Sequence, residues 1–270
     1  MKARFQWAAA LSLGAASLLG STAAHAQADD AWRFQGTLYV YLPSVGGKST
    51  FPPEGGSNAV SVDLGDIFTL KFAFMGSLEA RKGPWGGFTD AIYLNLGASK
   101  QGSRAINIGG ALPVGVAADV DLDLKGWLWT LAGTYRAVAR PDYSLDTFAG
   151  VRMLDIDQKT RWQLGGNIGV VPIADRAGSR QTSEQNWDAI VGVKGRLGLG
   201  DGGRWFAPYY LDVGTGESDF TVQAMAGVGY AFPWGDVIAA WRYIGYEMKS
   251  GHAIEKLNFS GPGVAAVFRW

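Results

Sequence analysis

The 270 residues carry 24 Lys and Arg against 24 Asp and Glu, no cysteine, 39 glycines, 11 Trp, 10 Tyr and 13 Phe. Without cysteine there is no disulfide framework, thiolate metal site or lipid-modified N-terminal cysteine, and the balanced charge gives no basic surface for nucleic acid. Beyond the N-terminal segment no run of 18 apolar residues occurs, so membrane-spanning helices are excluded, and the Gly and aromatic content fits many strands and turns.

At the start of the chain, Lys2 and Arg4 precede an apolar run from Trp7 to Leu19, and Ala24-His25-Ala26 supplies the small-x-small pattern of a cleavage site. Residues 1–26 therefore read as a signal peptide cut near Ala26. The mature chain, 27–270, is expected to form one β-barrel domain. Removing Lys2 and Arg4 leaves 22 basic against 24 acidic side chains, a net charge near −2.

Period-two alternation then recurs along the chain and predicts ten strands, at 32–45, 70–82, 86–98, 118–138, 144–157, 187–199, 204–215, 219–232, 236–249 and 257–270. In the fifth, Leu145, Thr147, Ala149, Val151 and Met153 oppose Asp146 and Arg152. In the sixth, Trp187, Ala189, Val191, Val193, Leu197 and Leu199 oppose Asp188, Lys194 and Arg196. The eighth sets Phe220, Val222, Ala224, Val228, Tyr230 and Phe232 against Thr221, Gln223, Gly227 and Gly229. Several of these strands exceed the ~5–6 residues of ordinary globular strands and suit a tilted crossing of about 9–11.

The links alternate in kind. Gly83-Pro84-Trp85, Arg140-Pro141-Asp142, Gly200 to Gly203 and Pro233-Trp234-Gly235 are tight, whereas 46–69, 99–117 and 158–186 read as long loops; Gly214 to Ser218 is a short exception. Short turns on one side and long loops on the other are the asymmetry of an outer-membrane barrel. The expected fold is all-β: a closed antiparallel up-and-down transmembrane β-barrel of about ten strands, with eight or twelve as alternatives if 158–186 is read differently.

A charge on a lipid face is costly, about 2–4 kcal/mol at midplane for Arg or Lys. Lys71, Glu79, Arg81, Asp146, Arg152, Asp188, Lys194, Arg196, Asp212 and Arg242 are therefore expected to face the lumen, as an interlocked ion-pair filling or as the lining of a pore. Asp119, Asp121 and Asp123 share one strand face, either as a hard-cation site or filter or as a solvated strand; no ligand loop completes a coordination shell. Trp127 and Trp129 share a face, and Trp85, Trp205, Trp234 and Trp270 lie near strand ends, where rings form interface belts or, alternatively, stack on carbohydrate.

His252 is the only histidine of the mature chain. Outer-membrane phospholipase and lipid A deacylase pair His with Ser two residues on, and omptin proteases use Asp two residues before His. Ser250-Gly251-His252-Ala253-Ile254 has neither pairing, so no enzymatic activity and no cofactor are expected.

The runs Trp187-Asp188-Ala189-Ile190-Val191-Gly192, Leu211-Asp212-Val213-Gly214, Ser218-Asp219-Phe220-Thr221, Trp241-Arg242-Tyr243 and Ser260-Gly261-Pro262-Gly263 resemble those of uncharacterised proteobacterial outer-membrane proteins, related in style to small barrels of the outer membrane protein A and W types. Gly83-Pro84-Trp85-Gly86 with Asp90 and Tyr93 fits the first half of the same pattern. The alternating end Val264 to Trp270 also resembles the signature read by the barrel-assembly machinery. This resemblance implies an outer-membrane location, with outer-membrane lipid and lipopolysaccharide as partners, and brings no substrate with it. A structural, surface or narrow-pore role is expected, with a small-solute porin and a soluble periplasmic ligand-binding barrel as alternatives.

Overall fold

The structure, a computed structural model, describes residues 31–51, 60–63, 69–101, 107–108, 116–168, 171–200, 202–250 and 254–270; the expected signal peptide and His252 lie outside them. In chain order the strands are β1 (Trp32–Tyr41), β2 (Ser44–Phe51), β3 (Val60–Asp63), β4 (Thr69–Lys82), β5 (Trp85–Gln101), β6 (Asn107–Ile108), β7 (Val116–Ala139), β8 (Tyr143–Ile168), β9 (Val171–Leu199), β10 (Trp205–Gly216), β11 (Ser218–Phe232), β12 (Gly235–Met248) and β13 (Ile254–Arg269). Ten of them close a ring in the order β1-β4-β5-β7-β8-β9-β10-β11-β12-β13, and β13 returns to β1. Every neighbour in the ring is antiparallel, so the backbone is paired all the way round.

Local chemistry sets the tight turns. Gly83 sits at φ 57 between β4 and β5, and Pro84 after it is held near −65°, the pairing of a type II′ hairpin turn whose twist matches its strands. Gly200 and Gly203, at φ 72 and 63, serve the β9–β10 turn in the same left-handed region. Inside the ring, a Cβ on Gly229 would run into the Phe206 ring, so that glycine is what lets Phe206 lie across the neighbouring strand.

Two expectations are corrected here. The 32–45 strand is two: β1 stops at Tyr41, and after Leu42-Pro43 the chain resumes as β2, which pairs with β13 and carries β3 and then β6. Segment 158–186 is not a loop, because β8 runs to Ile168 and β9 starts at Val171, paired almost throughout. With β7 these strands are 24, 26 and 29 residues long against 12 for β10. They therefore stand well beyond the ring as a ribbon, flanked by β5 as far as Gln101 opposite Asp119, and among the described residues β9 pairs only with β8 before Asp188.

The ribbon is registered by charge. On its outward face Asp121 lies opposite Arg161, Asp123 opposite Lys159 and Lys125 opposite Asp157, and Arg161 also reaches Asp123 at 3.1 Å. Directly opposed unlike charges contribute roughly 0.2–1 kcal/mol each, and like charges oppose pairing. Arg161→Glu should therefore speed amide hydrogen exchange in β7 and β8 beyond Leu124 and leave the ring's protection unchanged; equal acceleration in the ring would contradict a local role.

Candidate functional site

Alternation divides each ring strand into an inward and an outward row. Outward rows carry large apolar side chains: Leu38, Val40, Leu78, Val191, Trp241 and Val264 are each more than half exposed. Aromatic rings bound this surface. Near the short turns Trp32, Phe34 and Trp270 stack, Trp85 meets Tyr135 at 4.8 Å, and Trp205, Tyr230, Phe232, Trp234 and Phe268 form a continuous chain of contacts. A second group, Tyr93 with Trp127 and Trp129 with Trp187, lies six to twelve residues further along the strands. At ~3.3 Å per residue and a tilt near 40°, the two groups are about 15–30 Å apart.

The inward rows form three levels. Closest to the short turns is an ionic cluster. Arg81 donates to Asp146 at 2.6 Å and to Glu79 at 2.9 Å, Asp146 also accepts from Arg136, and Lys194 pairs with Glu79 while lying 4.3 Å over the Phe88 ring. Beside it, Asp236 pairs with Arg269 and stands 3.8 Å from Arg196, which covers the Phe206 ring at 4.1 Å.

Deeper in the ring, Arg242 donates to Asp90 at 2.7 Å and to the Tyr39 hydroxyl at 2.9 Å, and that hydroxyl donates to Asp90 at 2.7 Å. Arg152, at 0% exposure, pairs with Asp212 and reaches Thr221 and Thr130. Asp188 accepts the Ser218 backbone N–H at 2.9 Å. A guanidinium removed this far from water is tolerable only because its donors are met by a carboxylate and hydroxyls.

The third level is apolar. Tyr41, Met75, Ile92, Leu94, Leu124, Leu128, Leu154, Ile156, Ile244, Tyr246, Met248, Leu257 and Phe259 pack into one buried layer, with Val45 of β2 joining it. The void among them is about 20 Å³. The half of the lumen away from the short turns is thus plugged by side chains, not filled with charge.

Of the ten charged candidates, nine have described side chains, and those nine meet inside the ring as above; Lys71 lies on β4 with its side chain outside the described set. Sequence reading missed Asp90, Arg136, Asp236, Arg269 and Tyr39. Asp90 was hidden between the inward apolar neighbours Phe88 and Ile92, and Arg136 stands beside a register shift at Arg136/Val138 that breaks the alternation. The apolar layer did leave a signal, since Ile92-Tyr93-Leu94 and Trp127-Leu128-Trp129 are apolar on both faces. Asp121 is exposed, Asp123 pairs with Arg161, and the Asp119 side chain is outside the described set. Both described carboxylates lie on the outward face of the ribbon, so they line no lumen filter. Among the described residues no group of three or more His, Cys, Asp or Glu is placed to hold a metal.

No protein-family model and no curated protein sequence matches the chain. Among solved structures it is similar to the outer membrane protease OmpT from Escherichia coli, with a TM-score of 0.57 and 11% identity over 90% of this chain and 98% of that one. It also matches the translocator domain of the autotransporter NalP from Neisseria meningitidis (TM-score 0.36, 16% identity, 88% of each chain) and the TodX monoaromatic hydrocarbon channel (0.28, 8%, 90% and 91%). The likeness to OmpT shows a shared barrel fold and nothing about activity; the other two scores establish no common fold.

Proposed function

We propose that this chain is an integral outer-membrane barrel, closed to solutes in the conformation described, whose role is structural or at the cell surface. The observation that carries the reading is the outward apolar band between two aromatic groups, on a ring that keeps its buried charges inside. Such a band matches the ~25 Å apolar height and aromatic girdles of outer-membrane barrels, and a surface this apolar is a liability in water. The short turns would then face the periplasm and the β7–β9 ribbon the exterior. From Trp187 to Val171 the ribbon gives roughly 50 Å of strand, enough to stand clear of the headgroups. Outer-membrane lipid and lipopolysaccharide would meet the outward rows. Trp270, whose backbone N–H and C=O still pair with Phe34 at 3.1 and 2.9 Å, would end the strand offered to the barrel-assembly machinery.

The protein should remain with the outer-membrane fraction, migrate differently on a gel before and after heating, and give no steady conductance in planar bilayers once folding is verified. Release by osmotic shock would instead support a soluble periplasmic barrel, and regular conductance steps would support a porin. Hydrolysis is not proposed, because the sequence around His252 carries neither pairing known from outer-membrane hydrolases.

A further inference from the structure

Between the apolar layer and the short-turn end, the lumen widens into a cavity of about 290 Å³, near the lower end of the ~300–1,000 Å³ range of ligand pockets. Its two walls differ in chemistry. β11, β12 and β13 contribute Met225, Ile238, Ala240, Ala265 and Val267, and the facing wall carries Glu79, Asp146, Arg136 and Lys194. Arg196, Asp236 and Arg269 stand at the mouth.

The carboxylates around this space are already saturated. Glu79 takes Arg81 and Lys194, Asp146 takes Arg81 and Arg136, Asp90 takes Arg242 and the Tyr39 hydroxyl, and Asp236 takes Arg269 with Arg196 further off. Six cations thus face four carboxylates, which leaves a net charge of +2. The level beyond holds the reverse excess of one, Asp188 and Asp212 against Arg152. Two polar atoms of buried cavity-lining residues, Arg242 Nε and Gln223 Oε1, find no hydrogen-bond partner within the protein. At the mouth, Arg196 has one ionic contact at 3.8 Å and otherwise lies over Phe206.

We propose that this cavity binds a small organic anion, a carboxylate on an apolar body, with the carboxylate at Arg196 and the body along the Met225–Val267 wall. Positive charge left uncompensated beside low-dielectric walls stabilises an anion strongly. A cation would find each carboxylate around the cavity already paired, and a sugar would have to turn part of its hydroxyls to the apolar wall, which offers them no partner. The site does not depend on the membrane placement, since its walls belong to the ring itself.

The test is a fluorine NMR titration of the folded full-length protein in non-ionic detergent, using p-fluorobenzoate and its uncharged counterpart, p-fluorobenzyl alcohol. The acid should bind saturably and at least about tenfold more tightly than the alcohol, the scale of a charge-assisted hydrogen bond. Arg196→Gln, at a side chain over a third exposed, should fold and should remove most of that preference while leaving alcohol binding unchanged. Ala265→Phe, which fills the apolar side of the cavity, should abolish binding of both. Acid and alcohol binding equally, no saturable binding by heat-modifiable protein, or an unaltered preference in Arg196→Gln would each overturn the proposal.

Discussion

Replacing Arg152 with Met should destabilise the barrel by about 3–5 kcal/mol, because it leaves the Asp212 carboxylate buried opposite nothing that can balance it. The side chain lost is fully enclosed, and its guanidinium also reaches the hydroxyls of Thr130 and Thr221. Removing both partners is a different matter. The double variant Arg152→Met with Asp212→Leu puts apolar groups where ions stood and should recover most of the loss, since buried ion pairs often do no better than apolar side chains of similar volume. Reversible denaturant unfolding in lipid vesicles, followed by tryptophan fluorescence, reads both values. A single variant within about 1 kcal/mol of the parent, the worth of one neutral hydrogen bond, would mean that water reaches the pair and the lumen is not closed at that depth.

Leu131→Arg should cost about 2–4 kcal/mol for a ring seated in a bilayer, whereas Leu199→Arg should cost about 0–1. Leu131 is 46% exposed on the outward row of β7, four residues from Tyr135 on one side and two from Trp129 on the other. That places its Cβ between the two aromatic groups. Leu199 lies opposite Trp205 at the short-turn end, where an arginine reaches water. The difference between the two is the informative quantity, because a soluble ring would accept both with little change. Vesicle unfolding titrations at one lipid composition would decide it.

The outward rows were legible from sequence because strict alternation has one meaning: Val191, Leu197 and Leu199 can share a face with Trp187 only if Asp188 and Lys194 turn away. The ring of ten followed from those rows and from the Gly and Pro turns. What escaped was structure that obeys no single contrast. In 158–186, Lys159, Arg161, Gln181 and Ser183 are polar on a ribbon solvated on its outer side, so no apolar row announces a strand. In the inner layer Ile92 and Leu128 are apolar behind outward rows that are apolar too, so alternation vanishes for the opposite reason. Ion pairing itself is invisible to periodicity: that Glu79 would meet Lys194, 115 positions away, depends on the way the ring closes.

That closure joins the first and last strands, with Gln35 opposite Arg269 and Tyr41 opposite Gly263. Until the final hairpin arrives, β1 and β13 are two raw borders of a curling sheet, each able to recruit a stranger's strand. Nothing along the wall can seal them early, since the partner of each is the ring strand most distant along the chain. The protein should therefore mature in one late, all-or-nothing event and require escort up to that moment, with the seam as the place where failure begins.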